Sequence, residues 1–127
     1  MDITLTTGGE NGVTKTMSCG AFTACRKDIV KILNKEFGEV YEKYANHQLP
    51  RYAIKKYCEE NRISRMFLAF LLRDDTNGYC PYQLSRQLYF VLLNNKPNDR
   101  MIFYRFYNDW MELFSYSANN KSPITWG

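Results

Sequence analysis

The feature that most constrains this chain is a long run of apolar residues at helical spacing between residues 21 and 45. Such residues recur every three or four positions, which places them on one stripe of an α-helix. Gly38 lies inside the run and costs about 1 kcal/mol relative to alanine, so a bend or break is expected there. The residues of the stripe are Phe22, Cys25, Ile29, Leu33, Phe37, Val40 and Tyr44.

Two short alternating segments precede this helix, separated by residues 8–12, which are rich in glycine and asparagine. Glycine and asparagine accept the positive φ angles that a tight turn requires, so the pattern predicts a β-hairpin over residues 1–18. An isolated hairpin is marginal in water, and its apolar face should therefore pack on the helices. The alternating positions are Ile3, Leu5, Thr7, Val13, Lys15 and Met17.

Shorter helices are expected after the first one. Periodicity predicts helices over residues 52–61 and 65–73, with Ser64 as the N-cap of the second, and a loop over residues 74–78. Pro81 suits the first turn of the next helix. The inner face of that helix is predicted to hold Leu84, Leu88, Val91 and Leu92.

The last helix is expected to be capped by Asn98 or Asp99 and to end near residue 115. A chain of 127 residues forms one core. We therefore predict a single domain of the mainly α (α+β) class, with an N-terminal β-hairpin packed on a bundle of four to five helices. Its parts would be a hairpin (1–18), a helical body (21–116) and a C-terminal tail (117–127).

Residues 53–73 read AIKKYCEENRISRMFLAFLLR and resemble the helix-turn-helix of DNA-binding regulators. In that motif the second helix lies in the major groove and presents side chains to base edges. The resemblance implies that Arg65, Met66, Ala69 and Phe70 face the bases and that Arg73 lies at the far end. It also implies inward positions for Ile54, Tyr57, Cys58, Ile63, Leu68 and Leu71.

Two features depart from that pattern. Arg62 stands where the turn usually has glycine, so it must adopt a left-handed conformation if the turn is kept. Residues 66–72 are apolar on every side, which is typical of a helix in a core or against a protein. A purely structural helix pair is therefore the alternative.

Cations around this segment suggest contacts with a nucleic-acid backbone. Phosphate contacts need only positive groups nearby and are sensitive to salt. The formal net charge is +4, from 17 Lys and Arg against 13 Asp and Glu, so the alternative is that these cations are the solvated faces of amphipathic helices. The candidate nucleic-acid-binding residues are Lys55, Lys56, Arg62, Arg65 and Arg73.

Aromatic residues near the C-terminus form a belt too wide for one helix face. We expect either that the hairpin and the tail at Trp126 cover these rings, or that they form a protein-docking patch or a homodimer interface. The candidate docking residues are Tyr104, Tyr107 and Trp110, with Arg100 and Arg105 at the rim.

Groups for catalysis are sparse. The four cysteines form no C-x-x-C pair, and His47 is the sole histidine. Cys80, beside Pro81, is the cysteine best placed for a lowered pKa. The adjacent acids at 74 and 75 are expected to be solvated turn residues. We expect no enzyme activity, no metal, no cofactor and no small-molecule substrate.

The sequence thus favours a small non-catalytic regulator or inhibitor that binds nucleic acid or a nucleic-acid-handling protein. Its composition is compatible with a phage or mobile-element product. The alternatives are a protein–protein inhibitor or dimerisation module and, more remotely, a cysteine-dependent enzyme. The N-terminus shows no signal pattern and no apolar run reaches the roughly 20 residues that span a bilayer, so a soluble, cytoplasmic protein with no membrane partner is expected.

Overall fold

The computed structural model describes residues 1–73 and 78–127. Most of the loop predicted over residues 74–78, including both adjacent acids, lies outside the described residues. The elements in chain order are β1 (Asp2–Thr6), β2 (Thr14–Ser18), α1 (Cys19–Leu33), α2 (Lys35–Ala45), α3 (Arg51–Glu60), α4 (Arg65–Leu72), β3 (Gly78–Cys80), α5 (Tyr82–Asn94), α6 (Ile102–Asn120) and β4 (Ile124–Trp126). The mainly α class with a packed N-terminal hairpin is confirmed.

The strands form one antiparallel sheet in the order β2-β1-β4-β3. The predicted hairpin is present, and Ile3 lies opposite Met17 with both side chains buried. The prediction of a C-terminal tail over residues 117–127 is wrong, because residues 124–126 form strand β4 between β1 and β3. Gly78 makes this pairing possible, since a Cβ there would lie 1.6 Å from the Trp126 ring.

The long helix predicted over residues 21–45 is two helices, and the break is at Asn34 rather than at Gly38. Asn34 is extended (φ −160°, ψ 106°), and its Oδ1 accepts a hydrogen bond from the Phe37 amide at 3.0 Å. Asparagine is a strong N-cap, which explains why the second helix begins there. Gly38 instead lets α2 approach α1, because a Cβ would lie 2.8 Å from the Lys31 Cα.

The last helix also differs from its prediction. It begins at Ile102, runs to Asn120 and has no side-chain cap from its own N-cap residue, Met101. Asp28 of α1 caps this helix instead, since its Oδ2 accepts a hydrogen bond from the Phe103 amide at 3.0 Å. Asn98 accepts instead from the Arg100 amide in the preceding loop.

A cluster of four aromatic rings joins the helices to the sheet. The Phe22 ring lies 5.9 Å from Trp110 and 5.3 Å from Trp126, and the Phe70 ring lies 6.4 Å and 5.7 Å from the same two. Trp126 therefore packs against Phe22 and Phe70, and these two rings in turn contact Trp110 of the predicted belt. Leu84, Leu88 and Leu92 of α5 are buried as predicted, but Val91 is exposed.

Within the described ranges, no helix combines the length and the apolarity needed to cross a lipid bilayer.

Candidate nucleic-acid interface

The turn between α3 and α4 keeps the backbone geometry that the sequence required of Arg62. This residue has a left-handed φ of 56°, and the next amide, of Ile63, donates to the Cys58 carbonyl at 2.9 Å. That bond closes the end of α3 in the way a glycine usually permits. Ser64 then caps α4 as predicted, with its Oγ accepting from the Met66 and Phe67 amides at 3.2 and 3.3 Å.

Helix α4 is buried along its second half and partly exposed along its first. Phe70, Leu71 and Leu72 are buried, whereas Met66, Phe67 and Leu68 are half-buried. Phe70 was expected to face the bases, and this is wrong, because its ring packs between Trp110 and Trp126.

Three exposed residues mark the outer edge of α4. They are Arg65, Ala69 and Arg73, four positions apart, with Arg73 just beyond the last helical residue. Positions four apart lie one above the other on a helix, so the three form a stripe. Ala69, between the two arginines, is exposed and carries only a methyl group.

All five predicted nucleic-acid-binding cations are exposed. Lys56 is 3.9 Å from Glu60 one turn later, a weak solvated pair. In the part of the chain that the structure describes, Lys55, Arg62 and Arg65 have no carboxylate within ion-pair distance. Glu59 and Glu60, both exposed on α3, reduce the positive potential of this face.

A buried guanidinium fixes the carboxyl end of α4. The Nη1 atom of Arg26 donates to the carbonyls of Phe70, Leu71 and Arg73, at 3.2, 3.2 and 2.8 Å. Its Cζ lies 4.3 Å from the centre of the Phe22 ring, and the Tyr41 hydroxyl also donates to the Leu71 carbonyl. These donors satisfy carbonyls that a helix end leaves without partners.

A cavity of about 510 Å³ opens at this same end of α4. Sequence reasoning did not assign it, because its described residues come from three separate stretches of the chain, within 23–26, 41–51 and 71–73. The one signal was a charged residue, Arg26, within an apolar helical stripe. The described residues that line the cavity are Thr23, Arg26, Tyr41, Tyr44, Ala45, His47, Leu49, Arg51, Leu71, Leu72 and Arg73.

His47 lies at the rim of the cavity and has a left-handed φ of 61°. It follows the end of α2, where the Gln48 amide donates to the Lys43 carbonyl at 2.8 Å and the His47 amide to the Tyr44 carbonyl at 3.0 Å. Glycine is usual at such a position, and any other residue there costs roughly 1–2 kcal/mol. The chain thus places its only histidine in a strained conformation beside three arginines.

The cysteines do not form a reactive site with this histidine. None of them is among the described residues that line the cavity. Cys80 was expected to have a lowered pKa, but burial raises its pKa to about 12, although its Sγ lies 3.6 Å from the Ser85 hydroxyl. Burial also raises the pKa of Cys25 to about 12 and that of Cys58 to about 11.

The predicted docking residues divide into exposed and buried ones. Tyr104, Arg100 and Arg105 are exposed. The prediction is wrong for Trp110, which is fully buried among Phe22, Phe70 and Phe114. Tyr107 is half-buried, because its hydroxyl donates to the Leu92 carbonyl at 2.9 Å.

Two apolar residues of α5 that were not singled out from the sequence are exposed. Phe90 has 59% of its surface exposed and Leu93 has 44%. They fall next to the predicted inner face of α5, where helical spacing alone does not separate inner from outer positions.

Among the described residues, no group of three or more His, Cys, Asp or Glu side chains is arranged to hold a metal ion. No family model, no curated protein and no solved structure matches this chain.

Proposed function

We propose that this protein is a non-catalytic regulator that binds the phosphate backbone of nucleic acid through the outer edge of the α3–α4 helix pair. The observation that carries the proposal is the stripe of Arg65, Ala69 and Arg73, because it gives α4 a positive, sterically open edge while its larger apolar residues face inward.

Helix α4 is short, with eight residues that span about 12 Å. Arg62 and Lys55 extend the positive edge onto the turn and α3. Few polar side chains on the exposed part of α4 could read bases, so the proposal is for backbone contacts rather than for base-specific recognition.

A salt titration tests the proposal. Binding of a fluorescent 20-base-pair duplex with 5′-hydroxyl ends is measured by anisotropy over a range of salt concentrations, for the natural chain and for Lys55→Gln/Arg65→Gln. The affinity of the natural chain should fall steeply with salt, and the variant should reduce the slope of log K against log salt by about 2, because two phosphate contacts are lost.

The control removes the same charge elsewhere. Lys96→Gln/Arg100→Gln takes two exposed cations from the connection between α5 and α6 and should leave the slope close to that of the natural chain. No binding at low salt, or equal effects of the two double variants, would contradict the proposal.

The exposed side chains of α5 and α6 favour a second candidate, self-association. Phe90, Leu93 and Tyr104 are each more than two-fifths exposed, and large exposed apolar side chains are frequent anchors in protein interfaces. If two copies meet there, sedimentation velocity should show a dimer that Phe90→Asp/Tyr104→Asp converts to a monomer. A monomer at all concentrations would exclude this candidate.

A further inference from the structure

The cavity at the carboxyl end of α4 has the size of a small-molecule site, and the part of its lining that the structure describes is rich in cations. Its volume, about 510 Å³, lies within the roughly 300–1,000 Å³ typical of ligand pockets. Buried Tyr41, Leu71 and Leu72 form its floor, and exposed His47, Arg51 and Arg73 stand at its rim. The described lining includes three arginines and one histidine, and no aspartate or glutamate.

Two of the arginines are placed to meet a ligand. The Arg26 guanidinium already holds the last carbonyls of α4, so it serves to fix the wall. Arg51 has no carboxylate within ion-pair distance among the described residues. The Arg73 guanidinium lies 5.6 Å from the centre of the Tyr79 ring, and Arg73 also lines the cavity.

The start of α3 adds to the positive potential of the rim. Helix α3 begins at Arg51, its N-cap residue Pro50 makes no side-chain cap, and no acidic residue lies in its first turn. The amides at a helix N-terminus attract anions. Arg51, the first residue of α3, is among the residues that line the cavity.

The shape and the rings of the cavity suit an anion with an attached flat group. Arginine forks bind phosphate in a bidentate way. Tyr44 is half-buried in the lining, with its ring centre 6.2 Å from that of Tyr41. A phosphate alone would occupy only part of the volume.

We propose that this cavity binds a phosphate monoester of nucleotide size, with the phosphate held by Arg51, Arg73 and the first amides of α3, and with the ring of the ligand against Tyr44. The phosphate monoester comes either from a free nucleotide or from the phosphorylated 5′ end of a nucleic-acid strand. The site is separate from the outer edge of α3 and α4 proposed for backbone contacts, apart from Arg73.

Calorimetric titration with adenosine 5′-monophosphate tests the proposal, with adenosine and inorganic phosphate as partial ligands. The monophosphate should bind more tightly than either partial ligand. Arg51→Gln should weaken its binding at least tenfold, because this guanidinium is at the rim. Arg65→Gln, which removes one exposed cation from the same helix pair but not from the cavity, should change it less than twofold.

A second pair of probes separates the two sources of the phosphate. A tetranucleotide with a 5′-phosphate is compared with the same strand bearing a 5′-hydroxyl. Preference for the phosphorylated strand over the free nucleotide would identify a strand end as the ligand, and the reverse preference would identify a nucleotide. Either preference supports the proposal if Arg51→Gln abolishes binding of the preferred ligand.

His47→Gly provides a variant that should not impair folding, since glycine accepts the left-handed conformation. It should weaken binding of the monophosphate while raising the melting temperature. The proposal is overturned if the monophosphate fails to bind at millimolar concentration, or if Arg51→Gln and Arg65→Gln have equal effects. Because the duplex in the salt titration carries no 5′-phosphate and is tested with Lys55 and Arg65, failure there does not bear on the cavity.

Discussion

The two halves of α4 have nearly the same apolar sequence but different surroundings. Phe70, Leu71 and Leu72 are buried, and their carbonyl end is held by Arg26, whereas Met66 and Leu68 in the first half are only half-buried. A helix that looks apolar on every side therefore need not be buried throughout. Burial changes along the helix axis as well as around it, and this leaves an exposed edge at Arg65 and Ala69.

The largest expected effect comes from a comparison of one apolar residue from each half of α4. Phe70→Ala should lower the free energy of unfolding by about 3–5 kcal/mol, because a fully buried ring is lost from contact with Trp110 and Trp126. Met66→Ala should cost only about 1 kcal/mol, as is usual for a half-buried position. Urea denaturation measures both, and equal losses would mean that the two halves are not distinct.

The next test concerns Arg26, whose guanidinium binds the carbonyls at the end of the buried half of α4. Arg26→Met keeps much of the apolar stem but leaves three carbonyls without their shared donor, and it should cost about 2–4 kcal/mol. Lys27→Met, at the adjacent and less buried position, should cost under about 1 kcal/mol. Thermal denaturation followed by circular dichroism checks both, and a neutral Arg26→Met would show that water or other groups replace the guanidinium.

Local signals in the sequence were sufficient for most elements. The hairpin, Ser64 as an N-cap and the ends of α3 and α4 depend on residues close together in the chain, and each is confirmed. Two of the errors come from long-range partners, whereas the break at Asn34 depends on a local cap. Asp28 caps α6 across 75 residues, and β4 is a strand only because β1 and β3 flank it.

The two candidate sites also differ in whether local sequence could predict them. The cations on α3 and α4 could be predicted, because exposed charges follow from the polar faces of two adjacent helices. The cavity could not, since Arg26, Tyr41, Arg51 and Arg73 come together only through the packing of α1, α2, α3 and the end of α4. Trp110 was misassigned for the same reason, because it is covered by Phe22 of α1 and Phe70 of α4, which are distant from it in the chain.

Thiol labelling can compare the surroundings of α4 without changing the helix. Cys58 lies just before the turn into the first half, and Cys80 lies on β3, a strand that packs against α4. Burial raises the pKa of Cys58 to about 11 and that of Cys80 to about 12. Because both thiols are buried and both pKa values are raised, a maleimide at pH 8 should modify each slowly, and Cys58, whose pKa is raised less, should be modified faster than Cys80.

Peptide mapping by mass spectrometry assigns the labelling rates, and Cys58→Ser confirms the assignment of the faster phase. The same shifts predict a loss of stability above pH 9, because both thiols stay protonated in the fold while they ionise in the unfolded chain. Identical labelling rates for the two cysteines would indicate that only global unfolding exposes them, which would remove the difference between the two regions.

The smallest expected effect concerns the turn that leads into the exposed half. Arg62→Gly should raise the free energy of unfolding by about 0.5–1 kcal/mol, because glycine adopts the left-handed φ of 56° without strain. The gain is limited, since a cation near the end of α3 interacts favourably with the helix dipole. Lys121→Gly, at the end of α6 with a φ of 50°, is the matched control for stability and should show a similar gain.

The two variants should differ in binding. Arg62→Gly removes a cation beside the proposed interface and should lower affinity for the duplex, whereas Lys121→Gly should not. A stabilising substitution that weakens binding would indicate that the chain keeps a strained arginine in this turn for its charge. If Arg62→Gly improved stability and left the salt dependence of binding unchanged, Arg62 would have no part in the interface, and the positive edge would be confined to α4 and Lys55.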